Sequence, residues 1–313
     1  MKVLITGGAG FIGTNLCRYL LKNNNYVYCL DNLQCSSYDN IIDLIGLPNF
    51  KFIKHDITNS LLNINVNQID QIYHLACPAS PKNYQIDPLK TIKTCTIGTI
   101  NVLDFALKKG ARVLFTSTSE IYGDPEITPQ TEEYRGNVNT LGIRSCYDEG
   151  KRISETIMME YNRKYNIETR IVRIFNTYGP YLSPNDGRVV SNFIIQALNN
   201  KDLTIYGNGK QTRSFCYIDD LIDGLVKLMK SDYKYPINIG NPNEITIIEL
   251  SNAIKELVNK DIKITYLDLP EDDPKRRKPD INKAKQILNW EPEVGLNEGL
   301  LKLINFYKNS LNL

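Results

Sequence analysis

With 313 residues the chain can bury one large core or two modest ones, and its 37 basic and 35 acidic side chains nearly cancel. That balance leaves no charge excess to attract nucleic acid or a membrane surface, so neither is an expected partner. Seven cysteines, an odd number without Cys-x-x-Cys spacing, argue against a disulfide framework and read as reduced, mostly buried thiols. Met1 leads straight into a strand, and no apolar run reaches spanning length, so the expected compartment is the cytoplasm.

Residues 2–6 form a short β-branched, apolar run of the buried parallel-strand type. Gly7, Gly10 and Gly13 follow at once, and residues 14–23 read as a helix. Glycines at this spacing allow a turn of positive φ and a close approach of backbone to a pyrophosphate, which then sits on the positive end of the helix. Residues 26–30 are a second strand ending in Asp31, placed to hydrogen-bond the ribose hydroxyls of an adenosine and to repel a 2′-phosphate, which favours NAD over NADP. A third strand, 50–54, ends at Asp56 and Ile57, a candidate adenine contact. A fourth, 71–75, runs into a segment where Pro78 and Pro81 are expected to stop any helix and fix a loop at the ligand-binding edge of the sheet. Residues 88–109 read as one long helix. His55 and His74 stand alone and read as packed or hydrogen-bonded residues. No Cys/His/Asp cluster has metal-site spacing, so no metal is expected.

The strand at 112–116 runs into Ser117, Thr118, Ser119 and Glu120, polar groups that are costly to bury unless paired. Capping of the next segment accounts for one or two of them, and a hydroxyl here can bond a substrate oxygen. Tyr147 and Lys151 stand one helical turn apart, on one face, ahead of an amphipathic run at 152–165. A surface Tyr–Lys pair of this spacing is common. The glycine cradle and the hydroxyl-bearing strand end make an acid–base pair the better reading, with the ammonium pulling the phenol down from its usual value of ~10. One more strand, 168–175, enters a turn at Asn176. Strands alternating with helices imply an α/β fold built on a doubly wound parallel sheet.

From about residue 179 the segments become shorter and mixed: a helix at 190–199, a strand at 203–206, a strand near 214–218, and helices at 219–229, 282–288 and 296–306. The expected division is a dinucleotide-binding domain at 1–178, with crossover segments at about 214–240, and a smaller mixed α/β domain drawn mainly from 179–313. Arg188, Arg213 and Arg277 fall in separate segments of this half. Each alone is better read as a surface residue, but together they suit a second diphosphate. The basic run Lys275 to Lys278 is offset by Glu271, Asp272, Asp273 and Asp280, so it is not a nucleic-acid patch. Trp290 precedes a turn proline and reads as packing.

The stretches at 6–13, 74–81, 90–94, 116–125, 144–152 and 186–193 carry a resemblance that covers nearly the whole chain. They resemble the extended short-chain dehydrogenases/reductases, in the nucleotide-sugar branch, and within it the UDP-glucuronate decarboxylases, also called UDP-xylose synthases. The resemblance implies a Rossmann-type domain holding NAD through Gly7, Gly10, Phe11, Ile12, Gly13, Asp31, Asn32, Asp56, Ile57, Leu75, Ala76, Tyr147 and Lys151. It implies catalytic roles for Thr118, Ser119, Glu120, Tyr147, Lys151 and Arg277. It also implies a UDP-sugar pocket lined by Pro81, Tyr84, Lys93, Asn176, Arg188, Tyr206, Gln211, Arg213 and Arg277, and a homodimer formed through helices 88–109 and 147–165.

Two departures from the family pattern stand in the loop before Tyr147: Arg135 in place of the usual Trp, and Thr140 in place of Pro. The nearest rival is a nucleotide-sugar 4,6-dehydratase, in which an Asp serves as acid for the departing hydroxyl where this chain has Ser119. A 4-epimerase fits the Pro-rich loop less well, and a regulator that binds NAD without chemistry would not need Thr118, Tyr147 and Lys151 together. Whether Glu120, Arg277 or a water protonates C5 of the sugar is left open by the residues.

Overall fold

Seven parallel strands form the central sheet of the computed structural model, which describes residues 1–268 and 276–311. They are β1 (Lys2–Thr6), β2 (Tyr26–Asp31), β3 (Phe50–Lys54), β4 (Gln71–His74), β5 (Arg112–Thr118), β6 (Thr169–Ile174) and β7 (Pro236–Ile239), in the spatial order β7-β6-β5-β4-β1-β2-β3. The order reverses at β1 and β4, which is where a doubly wound sheet opens a crevice beyond its carboxyl ends. Alternation along β1 explains why both faces are covered. Val3 and Ile5 enter one apolar cluster, while Leu4 enters the other with Ile72, Val113 and Ile171. The acidic residues Glu271, Asp272 and Asp273, and Lys275 with them, lie outside the described residues; Arg276 pairs with Glu244 at 3.0 Å.

Two helical expectations are corrected. The helix expected over 88–109 is broken into α3 (Pro88–Lys93), a π turn (Thr94–Gly98) and α4 (Thr99–Lys109), with α2 (Pro81–Tyr84) ahead of it and α1 (Phe11–Lys22) after the glycines. Thr94 and Thr96 each donate a hydroxyl bond, at 2.8 Å, to the carbonyl four residues back, which competes with the regular ladder. Pro81 does not exclude a helix but opens the single turn α2, because a proline at the first helical position gives up an N–H that has no partner there.

After α5 (Ser145–Tyr165) and β6, the chain builds a second group of elements. These include α6 (Val189–Leu198) and the short paired strands Leu203–Tyr206 with Ile264–Leu267 and Thr212–Ser214 with Glu244–Thr246. Between them α7 (Ile218–Lys230) and β7 return to the central sheet. Helix α8 (Ile247–Val258), which sequence reading passed over, starts on a capping box between Thr246 and Glu249. Helices α9 (Asn282–Leu288) and α10 (Leu296–Leu311) close the chain, and Trp290 is buried with its indole N–H on the Asp220 carbonyl at 2.9 Å. No helix of the described residues is long and apolar enough to cross a membrane.

Candidate active site

The site begins at the glycine loop. Gly7 takes φ +71°, open to glycine but strained for other residues, and a Cβ on Gly13 would stand 2.2 Å from the Gly7 carbonyl oxygen. Helix α1 therefore starts at Phe11, three residues earlier than its pattern suggested, with Gly10 as an N-cap lacking any side-chain bond. Its first-turn amides and dipole are left for an anion. Asp31, buried at the tip of β2, accepts from the Ala9 N–H at 3.0 Å and from Leu33 N–H and Ser36 Oγ at 2.8 Å, which ties the end of β2 to the glycine loop. Asp56 takes a bond from Asn32 Nδ2 at 3.1 Å and one from Lys90 Nζ at 2.6 Å. Burial opposes ionisation of Asp56, but the lysine and Thr58 outweigh it and hold the carboxyl well below the usual range. These features fit a dinucleotide.

A cleft of about 1150 Å³ runs from this loop across the carboxyl ends of the strands. It exceeds the ~300–1,000 Å³ of ordinary small-ligand pockets. Gly7, Gly10, Phe11, Ile12, Gly13, Asp31, Asn32, Asp56, Ile57, Leu75 and Ala76 line one end. Thr118, Ser119, Glu120, Tyr147 and Lys151 lie in its middle, and Pro81, Tyr84, Asn176, Arg188, Tyr206, Gln211, Arg213 and Arg277 line the rest. Lys93 is the exception: it is exposed on α3 and outside the cleft lining, while Lys90, one turn earlier, is the lysine that turns inward. Arg135 and Thr140 are both exposed and outside the lining too.

At the centre, Tyr147 is buried, its ring stacked on Tyr84 with centroids 5.1 Å apart and planes 6° from parallel. Thr118 caps the turn after β5, accepting the Glu120 N–H at 3.2 Å, and its hydroxyl also bonds the Tyr147 phenol. Lys151 donates to the Thr116 carbonyl at 2.8 Å and sits 5.8 Å from the Tyr147 ring centroid. The expected acidification of Tyr147 by Lys151 is corrected here. Burial and then the Cys77 thiol push the phenol well above its ordinary value, with the Thr118 bond pulling the other way. The lysine's charge is turned into the strand end rather than onto the phenol oxygen. His74, lowered to about 3 by burial and by Lys151, bonds Thr6 at 2.9 Å and is a neutral packing residue, not a base.

Glu120 is gripped from two sides. Both terminal nitrogens of Arg277 reach its two oxygens, one of them at 2.6 Å, and Arg144 Nη2 reaches Oε2 at 2.7 Å. Burial alone would raise this carboxyl, yet Arg277 and then Arg144 bring it down to about 2, so it is an anion at any working pH. Sequence reading missed Arg144 as a functional residue. Its signal was present, since it stands three residues before Tyr147 on the same helical face. It also missed the contact between Cys77 and Cys95, whose sulfurs are 3.3 Å apart beside the cleft.

A model of the GDP-mannose 4,6 dehydratase family matches residues 4–303. UDP-glucuronic acid decarboxylase 6 of Arabidopsis thaliana is 56% identical over 301 residues, 96% of this chain and 87% of that protein. UDP-glucuronic acid decarboxylase 1 of Xenopus tropicalis is 51% identical over 99% of this chain and 73% of its own length. Among solved structures, the UDP-glucuronic acid 4-epimerase of Bacillus cereus, in complex with UDP-glucuronic acid and NAD, superposes with a TM-score of 0.90 at 30% identity, covering 99% of this chain and 100% of that one. With a family model over nearly its full length and half or more of its residues shared with the decarboxylases, the chain belongs to the UDP-glucuronic acid decarboxylase family, within the nucleotide-sugar branch of the extended short-chain dehydrogenases/reductases.

Proposed function

We propose that the chain converts UDP-glucuronate to UDP-xylose, releasing carbon dioxide by way of a C4 ketone. The observation that carries the reading is that Thr118, Tyr147 and the Glu120–Arg277 pair open into the same cleft as the glycine cradle. The cradle residues would hold NAD, which when bound supplies a hydride acceptor at C4 and ends the cycle unchanged. Tyr147, once ionised, takes the proton of the C4 hydroxyl, and Thr118 bonds the same oxygen. Once C4 is a ketone it stands β to the C6 carboxylate, so carbon dioxide leaves with its electrons flowing into the C4 oxygen. The donors at Tyr147 and Thr118 stabilise the charge that develops there. Glu120, held as an anion, cannot be the proton donor to C5 at neutral pH; it is suited to accept a hydrogen bond or hold a water that does so. Arg188 and Arg213, with Tyr206 and Gln211 beside them, suit the UDP diphosphate and uridine end of the cleft.

Ser119 separates this reading from a 4,6-dehydratase, because a buried hydroxyl cannot act as the carboxylic acid that expels the C6 hydroxyl. Mixing the protein with UDP-glucuronate and, separately, with UDP-glucose and weighing the products distinguishes them. Loss of carbon dioxide from the first and no change in the second is expected. Loss of water from the second, or a mass-neutral epimer of either, would replace the reading.

The division of labour follows: residues 1–178 with about 214–240 hold the cofactor, and 179–313 mainly hold the UDP-sugar. The chain is a cytoplasmic homodimer. The compartment is supported by seven free cysteines. The dimer is supported by the apolar outer face of α3 and α5, where Leu89 is 69% and Ile153 42% exposed. Light scattering should give twice the chain mass for the wild-type protein and the single-chain mass for a Leu89→Lys, Ile153→Lys double variant. A wild-type monomer, or a double variant still dimeric, would remove helices 88–109 and 147–165 from the interface.

A further inference from the structure

Arg144 occupies a position that helix stability does not explain. It is the N-cap of α5, where Ser, Thr, Asp or Asn would bond the free amides, and it makes no capping bond. It also brings a positive charge to the positive end of the helix dipole. Its side chain is only 16% exposed, and its guanidinium is directed at Glu120 Oε2, 2.7 Å away, the same oxygen that Arg277 reaches at 2.6 Å from a segment far along the chain. Glu120 thus has one guanidinium from the helix that carries Tyr147 and another from the residues before α9, and it is itself 14% exposed. We propose that Arg144 is a positioning residue of this active site, clamping Glu120 with Arg277 so that the carboxylate keeps one orientation beside Tyr147 and stays an anion that accepts hydrogen bonds.

Other charged and titratable groups bear on Glu120. Tyr147 and Asp148 on α5 and Tyr84 on α2 each feel its charge. Asp148 matters most for a test. It is buried, its Oδ1 has no hydrogen-bond partner, and burial and then Glu120 raise it to about 7, with Arg144 and Arg277 pulling it back. Removing Arg144 therefore moves Asp148 as well as Glu120 upward, and the two must be separated.

The inference rests on the decarboxylase reading only for its turnover arm, so the primary readout is independent of substrate. NMR of protein carrying carboxyl-labelled glutamate, with the Glu120 signal assigned by its loss in E120Q, follows the ionisation of this one group. In the wild-type protein the signal stays that of a carboxylate to the lowest pH at which the fold persists. In R144Q the midpoint should rise by about one pH unit or more, as expected for loss of a neighbouring cation, and R144K should restore most of the wild-type behaviour. The rise should persist in the D148N background. Should R144Q not fold, Arg144→Met keeps the aliphatic stem and repeats the test. In the turnover arm R144Q should lose about tenfold or more in kcat, with KM for UDP-glucuronate little changed. A Glu120 midpoint unmoved by R144Q, a rise that vanishes with D148N, or a loss confined to KM would each overturn the role. An absence of turnover in the wild-type protein would instead count against the decarboxylase reading and leave the NMR result standing.

Discussion

Tyr147→Phe should lower turnover of UDP-glucuronate by about a hundred- to ten-thousand-fold, the usual span for loss of a general acid–base group. The substitution removes one oxygen and leaves the ring. The stack on Tyr84 at 5.1 Å and the burial of the side chain are therefore kept, and the Thr118 hydroxyl loses one partner. The variant should fold, bind NAD with nearly unchanged affinity, and differ from the wild type in kcat far more than in KM. The size of the loss reflects how this tyrosine is placed. Burial favours the protonated phenol, so Tyr147 must first release that proton to water in the open cleft before its oxygen can take one from the C4 hydroxyl. Steady-state kinetics and a cofactor-binding titration check the two halves separately. A variant retaining more than about a tenth of wild-type kcat would remove Tyr147 from the chemistry.

Arg277→Met should be damaging in two ways at once. Arg277 is 6% exposed and holds both oxygens of Glu120, so its removal leaves a buried carboxylate with Arg144 alone. Breaking a buried pair from one side costs about 3–5 kcal/mol, a large share of the ~5–15 kcal/mol by which domains are stable. Turnover should fall below a hundredth of wild type, on the order of the loss of one preorganised charged group from an active site. A double variant with Glu120→Gln separates the effects. It should regain part of the stability, because no unpaired charge remains, and none of the activity. Urea unfolding and turnover of the two single variants and the double variant measure this. Equal destabilisation by the double and by the sum of the singles would mean that Glu120 and Arg277 do not act as a pair.

The cradle was legible because every part of it is local. Gly7 and Gly13 stand within one short loop and helix start, and positive φ and a missing Cβ leave their mark directly on residue type. Tyr147 and Lys151 were legible for the same reason, through the period of a single helix, but the energetics were not. Spacing placed the ammonium near the ring, while burial and the Thr116 carbonyl decide where its charge goes. Glu120 and Arg277 lie 157 residues apart, so no spacing could join them and only the family resemblance did. Lys93 shows how resemblance can mislead within a helix. Three residues fall roughly 60° short of a full turn, and at the end of α3, next to the π turn, Lys90 reaches Asp56 while Lys93 points to solvent. Arg144 sat inside a recognised motif, yet its role depends on a carboxylate brought from the turn after β5.

Release of labelled carbon dioxide from UDP-glucuronate carrying the label in its C6 carboxyl follows the decarboxylation itself. Label should leave in step with UDP-xylose formation, with the purified protein and NAD, and without accumulation of reduced cofactor. No release above a heat-inactivated control, with the UDP-glucuronate recovered intact or only epimerised at C4, would contradict the decarboxylase reading.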